Sequence, residues 1–271
     1  MDPTILDRLT SVVSRAASAI LAARKGALAV ETKPDLSPST TADQAAEAVI
    51  LDGLARELPG VPVVSEEAAG RAPPSELASR FVLVDPLDGT RELLAGRDEF
   101  TVNLAIISEG RPVLGIVAAP ALGLLWRAAE GDIAERLRLE PGLPASAAQE
   151  RCALRCRSLS SAHFTAALSR SHLDPSTQAF LAGLPPAERI VSGSALKFCR
   201  LADGIADVYP RLSPTAEWDV AAGHALVLHA GGIVTTPDGA PLHYGRIAEA
   251  FRIPAFVAWG DPTAPLRLGL R

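Results

Sequence analysis

Between residues 61 and 118 the apolar pattern changes from helical spacing to short β-branched runs, and carboxylates stand where two of those runs end. The runs cover residues 61–64, 81–84, 101–107 and 113–118, are punctuated by Gly or Pro, and read as strands. Glu66 and Glu67 follow the first run, while Asp85 and Asp88 follow the second. A sheet built from these runs crowds acidic side chains at its strand ends.

Ahead of the runs, Ile5, Leu6, Leu9, Val12, Val13, Ala16 and Ile20 recur every three or four residues, predicting an opening helix that ends near Gly26. Residues 33–41 hold two prolines among small polar residues and read as a loop, with Thr41 or Asp43 capping the next helix. In that helix Ala46, Val49, Ile50, Leu54 and Leu58 return to helical spacing until Pro59-Gly60. Past the runs, residues 130–157 mix Gly, Pro, Ala and charge with weak periodicity. A division into two halves, 1–150 and 151–271, is placed there. The second half offers a strand at 205–209, a helix at 219–230 ended by Gly231-Gly232, and a strand at 253–259.

With 48% hydrophobic and 21% charged residues, the 271-residue chain has the balance of a folded protein, and its length allows one large domain or two. A formal net charge of -5 argues against binding a nucleic acid polymer, which calls for a cationic footprint, but leaves room for a single nucleotide in a local pocket. Cys152, Cys156 and Cys199 form neither a disulfide framework nor a paired zinc motif, so a reducing cytoplasm is the simpler setting. The start lacks a basic segment followed by a long apolar one, and apolar runs break well short of the roughly 18 residues of a membrane span. No transmembrane segment is expected, and peripheral attachment to a membrane stays open.

Asp85-Pro86-Leu87-Asp88-Gly89-Thr90 combines two carboxylates three residues apart with a glycine that lets backbone N–H groups approach a ligand. These are the parts of a metal and phosphate site. Carboxylate oxygens suit Mg²⁺, which neutralises phosphate charge and acidifies water. Glu66 and Asp219 would complete the cluster, and divalent metals would resolve the cost of burying four like charges together. Taken alone, the string could also be an ordinary Asx turn after a strand, with solvated glutamates beside it.

Four separated blocks decide between these readings by resemblance: Thr41-Ala42-Asp43, Ser65-Glu66-Glu67, residues 85–90, and Trp218-Asp219-Val220-Ala221-Ala222-Gly223. In content, order and spacing they resemble the inositol monophosphatase superfamily. Further blocks are similar to its bacterial CysQ-type 3′(2′),5′-bisphosphate nucleotidase branch: Glu99-Phe100-Thr101-Val102-Asn103, Ser169-Arg170-Ser171-His172, residues 194–199, Tyr209-Pro210-Arg211 and residues 221–224.

The resemblance implies an α/β fold, the layered αβαβα sandwich of the inositol monophosphatase and fructose-1,6-bisphosphatase type. It implies two or three magnesium ions, with Glu66, Asp85 and the Leu87 carbonyl holding one and Asp85, Asp88 and Asp219 a second. Thr90 and Asp43 take the water-activating roles, and backbone N–H groups at Gly89 and Thr90 hold phosphate oxygens. Ser194, Lys197 and His172 face the nucleotide. On the residues alone, Ser194 could instead cap a helix, Lys197 could snorkel at the surface, and His172 could bond to backbone. Glu67 is a supporting residue or an exposed one, while His224 and Cys199 read as core. Three positions depart from that pattern: the loop reads Ser39-Thr40-Thr41, Arg91 stands where lysine is common and keeps the charge with a different hydrogen-bond geometry, and Leu93 stands where an aromatic is common, removing a stacking surface for adenine.

The activity implied is magnesium-dependent, lithium-sensitive hydrolysis of 3′-phosphoadenosine 5′-phosphate to AMP, with 3′-phosphoadenosine 5′-phosphosulfate as a second substrate, in sulfate assimilation. The alternatives are inositol 1-phosphate or fructose 1,6-bisphosphate as substrate, or a catalytically silent nucleotide or metal sensor. A homodimer is expected by family.

Overall fold

Phe81 and Leu83 bury on one face of a sheet, Val82 and Val84 on the other, as the two-residue period of a strand covered on both sides requires. The structure, a computed structural model, describes residues 3–33, 36–69, 74–160, 163–171 and 173–270. Helix α1 (Pro3–Arg24) is followed by a small antiparallel ladder of β1 (Val30–Thr32) and β2 (Pro38–Thr40), and then by α2 (Thr41–Glu57). Residues 38–40 are therefore a strand, not the loop their prolines and small polar residues suggested. The cap is Thr40 rather than Thr41 or Asp43: its side chain accepts from Ala42 N, and Asp43 returns the bond to Thr40 N.

Strands β3 (Val63–Ser65), β4 (Arg80–Asp88), β5 (Thr101–Ser108), β6 (Arg111–Ala119), β7 (Leu124–Ala129), β8 (Glu135–Arg138) and β9 (Glu150–Ala153) form one sheet in that order. Only the β3 and β4 pair is parallel. Residues 130–157 thus contain two more strands of the first sheet. Two short helices leave its acidic ends, α3 (Glu66–Ala69) after β3 and α4 (Thr90–Leu94) after β4.

A second sheet has the order β11 (Glu188–Ser192), β10 (Thr165–Ser169), β12 (Val208–Arg211), β16 (Phe256–Trp259), β14 (Ile233–Thr235). Between these strands run α5 (Pro175–Ala182), α6 (Leu196–Ala202), α7 (Glu217–His229) and a two-residue ladder of β13 (Thr215–Ala216) with β15 (Arg252–Ile253); α8 (Ala264–Arg267) follows. The expected strand over 253–259 is broken after Ile253 at Pro254, which has no N–H to give a ladder.

Leu9, Val13, Ile50 and Leu54 of α1 and α2 pack on Val82, Val84, Leu104 and Ile106. On the opposite face, Leu196, Phe198, Val220 and Leu226 of α6 and α7 fill the space between the two sheets. Leu181 and Ala264 of α5 and α8 cover the outer face of the second sheet with Leu168, Val208 and Trp259. The layers follow the αβαβα order expected from the resemblance. Gly223 lets α6 and α7 close up, since a Cβ there would stand 2.2 Å from the Phe198 ring. His224 and Cys199 are buried, as expected, and His224 Nδ1 lies 2.9 Å from the Tyr244 hydroxyl. Among the described residues no helix is long and apolar enough to cross a membrane.

Candidate active site

A cleft of about 650 Å³ opens beside the acidic strand ends, lined by Glu66, Asp85, Leu87, Asp88, Gly89, Thr90, Ser194, Lys197, Arg211 and Asp219 among others. Of the proposed site residues that lie among the described residues, all but Asp43 border it. Asp43 is buried behind Thr90, which donates from Oγ1 to Asp43 Oδ1 at 2.9 Å. His172 lies outside the described residues.

The acidic residues arrive from three elements. Glu66 opens α3, Asp85 and Asp88 end β4, and Asp219 sits in the first turn of α7. Asp85 accepts the Leu87 N–H at 3.0 Å, a turn that bends the chain so that Asp88 also reaches the cleft. Asn103 on the adjacent strand donates to Asp88 Oδ2 at 3.3 Å. Asp219 Oδ2 accepts the Thr215 hydroxyl and, at 3.4 Å, the Ala216 N–H, so the start of α7 aims the carboxylate.

Crowding shows in the proton affinities. Burial, reinforced by Asp219 and Glu67 and opposed by Lys33, pushes Glu66 up to about 7. Burial and then Asp219 push Asp88 up to about 7 against the pull of Lys197. Asp85 is held well above the carboxylate range by burial, then by Glu66, Asp88 and Asp219. Among the described residues no three acidic, His or Cys side chains are drawn up to metal-ligand spacing. Instead the Lys33 ammonium lies 2.7 Å from Glu66 and 2.6 Å from Glu67. Glu67 is buried, not exposed, and also accepts from Ser39 Oγ at 3.1 Å. The donor set is oxygen throughout, and its mutual repulsion calls for cations of high charge density, which fits magnesium.

Gly89 precedes α4 with φ 98°, and a Cβ there would stand 2.3 Å from Ser194 Oγ. Ser194 does not cap α6, whose N-cap is Ala195. Its hydroxyl lies 2.8 Å from both the Asp88 and Glu99 carbonyls, tying the segment before α6 to the turn that carries Gly89. Lys197 does not snorkel: it is 3% exposed, donates to the carbonyls of Ser192 (3.4 Å) and Ser194, and stands 5.3 Å from the Tyr209 ring centroid. Burial pulls it down to about 8 against the attraction of Asp88. Leu93 packs into the core beneath α1 and α2, so an aromatic at that position would not face the cleft, and its absence removes no stacking surface.

Arg211 was not among the expected site residues. It ends β12, lines the cleft, and its buried Nε has no hydrogen-bond partner. The available signal was a cation closing an apolar strand, as Asp85 and Asp88 close β4.

An inositol monophosphatase family model matches residues 4–255. The 3′(2′),5′-bisphosphate nucleotidase CysQ of Escherichia coli strain K12 is 39% identical over 256 residues, covering 93% of this chain and 98% of that protein. Histidinol-phosphatase of Mycobacterium tuberculosis strain H37Rv is 34% identical over 232 residues, 82% of this chain and 83% of that protein. The crystal structure of CysQ from Bacteroides thetaiotaomicron superposes with a TM-score of 0.76 at 33% identity, covering 93% of this chain and 95% of that one.

Proposed function

The chain belongs to the inositol monophosphatase family, whose members are metal-dependent, and we propose that it hydrolyses 3′-phosphoadenosine 5′-phosphate to AMP and phosphate. It is a phosphoric monoester hydrolase, and 3′-phosphoadenosine 5′-phosphosulfate is its second substrate. Removing the bisphosphate in sulfate assimilation relieves product inhibition of sulfate-transferring enzymes. A cytoplasmic homodimer, free or held peripherally at the membrane's inner face, is the state this reading expects.

The observation that carries the reading is the charge layout of the cleft. Oxygen donors from Glu66, Asp85, Leu87, Asp88 and Asp219 line it together with Lys197 and Arg211, and Lys33, Arg91 and Arg252 line it as well. One phosphate satisfies the acidic side once metal is bound. A bisphosphate gives Lys197 and Arg211 an anionic partner as well.

Glu66, Asp85 and the Leu87 carbonyl would hold one magnesium ion, and Asp85, Asp88 and Asp219 a second, with a third accommodated in some states. Magnesium bound there supplies positive charge for the phosphate and acidity for water. Backbone N–H groups of Gly89 and Thr90 orient the phosphate oxygens. Thr90 Oγ1, already donating to Asp43 Oδ1, can pass that proton on as it accepts one from water. Burial raises the Asp43 pKa, which strengthens the carboxylate as the final acceptor. Ser194, Lys197 and, by resemblance alone, His172 bind the nucleotide.

Phosphate release with Mg²⁺ from 3′-phosphoadenosine 5′-phosphate, inositol 1-phosphate, fructose 1,6-bisphosphate and histidinol phosphate, repeated with Li⁺, tests the reading. Preference for the bisphosphate nucleotide and loss of rate in Li⁺ are expected. A strong preference for another substrate overturns the assignment, and binding without release would indicate a sensor.

A further inference from the structure

Glu99 and Arg170 have no part in the chemistry above, yet in the fold they meet. Glu99 precedes β5 in the first half and Arg170 follows β10 in the second. The guanidinium donates from Nε to Glu99 Oε2 at 2.9 Å and from Nη2 to Oε1 at 3.0 Å. Gly193 N donates to the same Oε2 at 3.1 Å, and the Glu99 carbonyl lies 2.8 Å from Ser194 Oγ. One glutamate thus grips the second half at three residues.

Neither Glu99 nor Arg170 lines the cleft, whereas Ser169, Gly193 and Ser194, beside or bonded to them, all do. A second strut runs alongside, where Ser171 Oγ donates to Glu92 Oε1 at 2.9 Å. A single-point exposed ion pair restrains little, but a two-bond fork between guanidinium and carboxylate fixes both distance and angle. The wall that the fork holds stands against the turn at 88–92, which places the phosphate to be hydrolysed.

We infer that Glu99 and Arg170 are positioning residues for substrate choice, an inference that rests on the bisphosphate reading. The fork registers the wall of residues 169–171 and 193–194 against the phosphate turn. It thereby sets the span between the reacting phosphate and the rest of a nucleotide bisphosphate. A small phosphate monoester, which does not cross that span, is indifferent to it.

The test is steady-state kinetics of wild type, Glu99→Ala, Arg170→Met, the double variant and Arg170→Lys. Each is assayed with 3′-phosphoadenosine 5′-phosphate and with p-nitrophenyl phosphate, and thermal midpoints are recorded to confirm folding. Each of the first two variants should raise KM for the bisphosphate about tenfold with kcat held within about twofold. The double variant should be no worse than Glu99→Ala, which already removes the fork together with the Gly193 N–H bond. Arg170→Lys should fall between wild type and Arg170→Met, and KM for p-nitrophenyl phosphate should not move. Equal KM rises for both substrates, an unchanged KM for the bisphosphate, or additive effects in the double variant would overturn the inference while leaving the substrate assignment standing. A wild type with no preference for the bisphosphate would instead remove the assignment, and the inference with it.

Discussion

Thr90 Oγ1 lies 2.9 Å from Asp43 Oδ1 across a sequence separation of 47 residues, and the other oxygen of Asp43 is taken up by the start of α2. Oδ2 accepts the Thr40 N–H at 2.7 Å and the Thr40 hydroxyl at 2.6 Å. The capping box therefore fixes Asp43 in place, and under the proposed relay one carboxylate serves both helix and chemistry. Thr90→Val should lower kcat by about 10²- to 10⁴-fold, the usual range for losing a positioned proton relay, with little change in thermal midpoint. Asp43→Ala should lower kcat similarly and also destabilise the fold by about 0.5–2 kcal/mol through the lost cap. Thr90→Ser should retain most of the rate. Parallel kinetics and denaturant titrations check all three, and a fast Thr90→Val enzyme would exclude the relay.

Gly89 and Ser194 occupy adjoining space that only a residue without a side chain can share. Gly89→Ala meets two penalties, the left-handed φ of 98° and a Cβ 2.3 Å from Ser194 Oγ. The backbone penalty alone is about 1–3 kcal/mol. Activity should fall sharply because the phosphate turn is displaced. Adding Ser194→Ala should recover part of the stability by removing the collision but not the backbone strain. Urea midpoints of the two variants check this, and no recovery in the double variant would show that the hydroxyl is not the obstacle.

Most of the acidic cluster was legible because its members stand within short blocks at strand ends, where local chemistry and geometry coincide. What escaped depended on distant packing. Leu93 is an apolar residue on a short helix, and only the tertiary fold decides whether it faces the cleft or the core. Strands β8 and β9 hid because they lie toward the exposed edge of the sheet, where Glu135, Arg136, Arg138, Glu150 and Arg151 replace the apolar alternation of a covered strand. Strand β2 is three residues long with a proline at its start, and its partner β1 is exposed throughout. Arg211 could be read as a cleft residue only once β12 had been placed beside the cleft.

Magnesium should stabilise this protein more as pH rises. Burial and neighbouring carboxylates push Glu66 and Asp88 up to about 7 from 4.5 and 3.8, so without metal the folded chain binds more protons than the unfolded one between those values. That contribution to stability is full below about 4 and is lost as pH rises through about 7. Metal needs the same oxygens deprotonated, so its benefit grows over the window in which the proton's is lost. The rise in thermal midpoint on adding Mg²⁺ should be small at pH 5.5 and larger at pH 8. Asp88→Asn should flatten the dependence. A magnesium effect independent of pH would place the ion away from these carboxylates.

Lys197 and Arg211 divide the work of the cleft by exposure and by partners. Lys197 is buried and bonded to the Ser192 and Ser194 carbonyls, so it helps shape the wall as well as offering charge. Arg211 has an Nε without a partner and can gain a bond when a second anion arrives. Losing a charged hydrogen bond to a ligand costs about 1.5–3 kcal/mol. Arg211→Met should therefore raise KM for 3′-phosphoadenosine 5′-phosphate by about 10- to 100-fold. It should leave KM for p-nitrophenyl phosphate near wild type and lower stability little. Lys197→Met should raise KM for the bisphosphate too, but with a measurable loss of thermal midpoint and a further rise in the Asp88 pKa, since the attraction that opposes its burial is gone. If Arg211→Met weakens both substrates equally, the arginine acts on the reacting phosphate rather than on a second one.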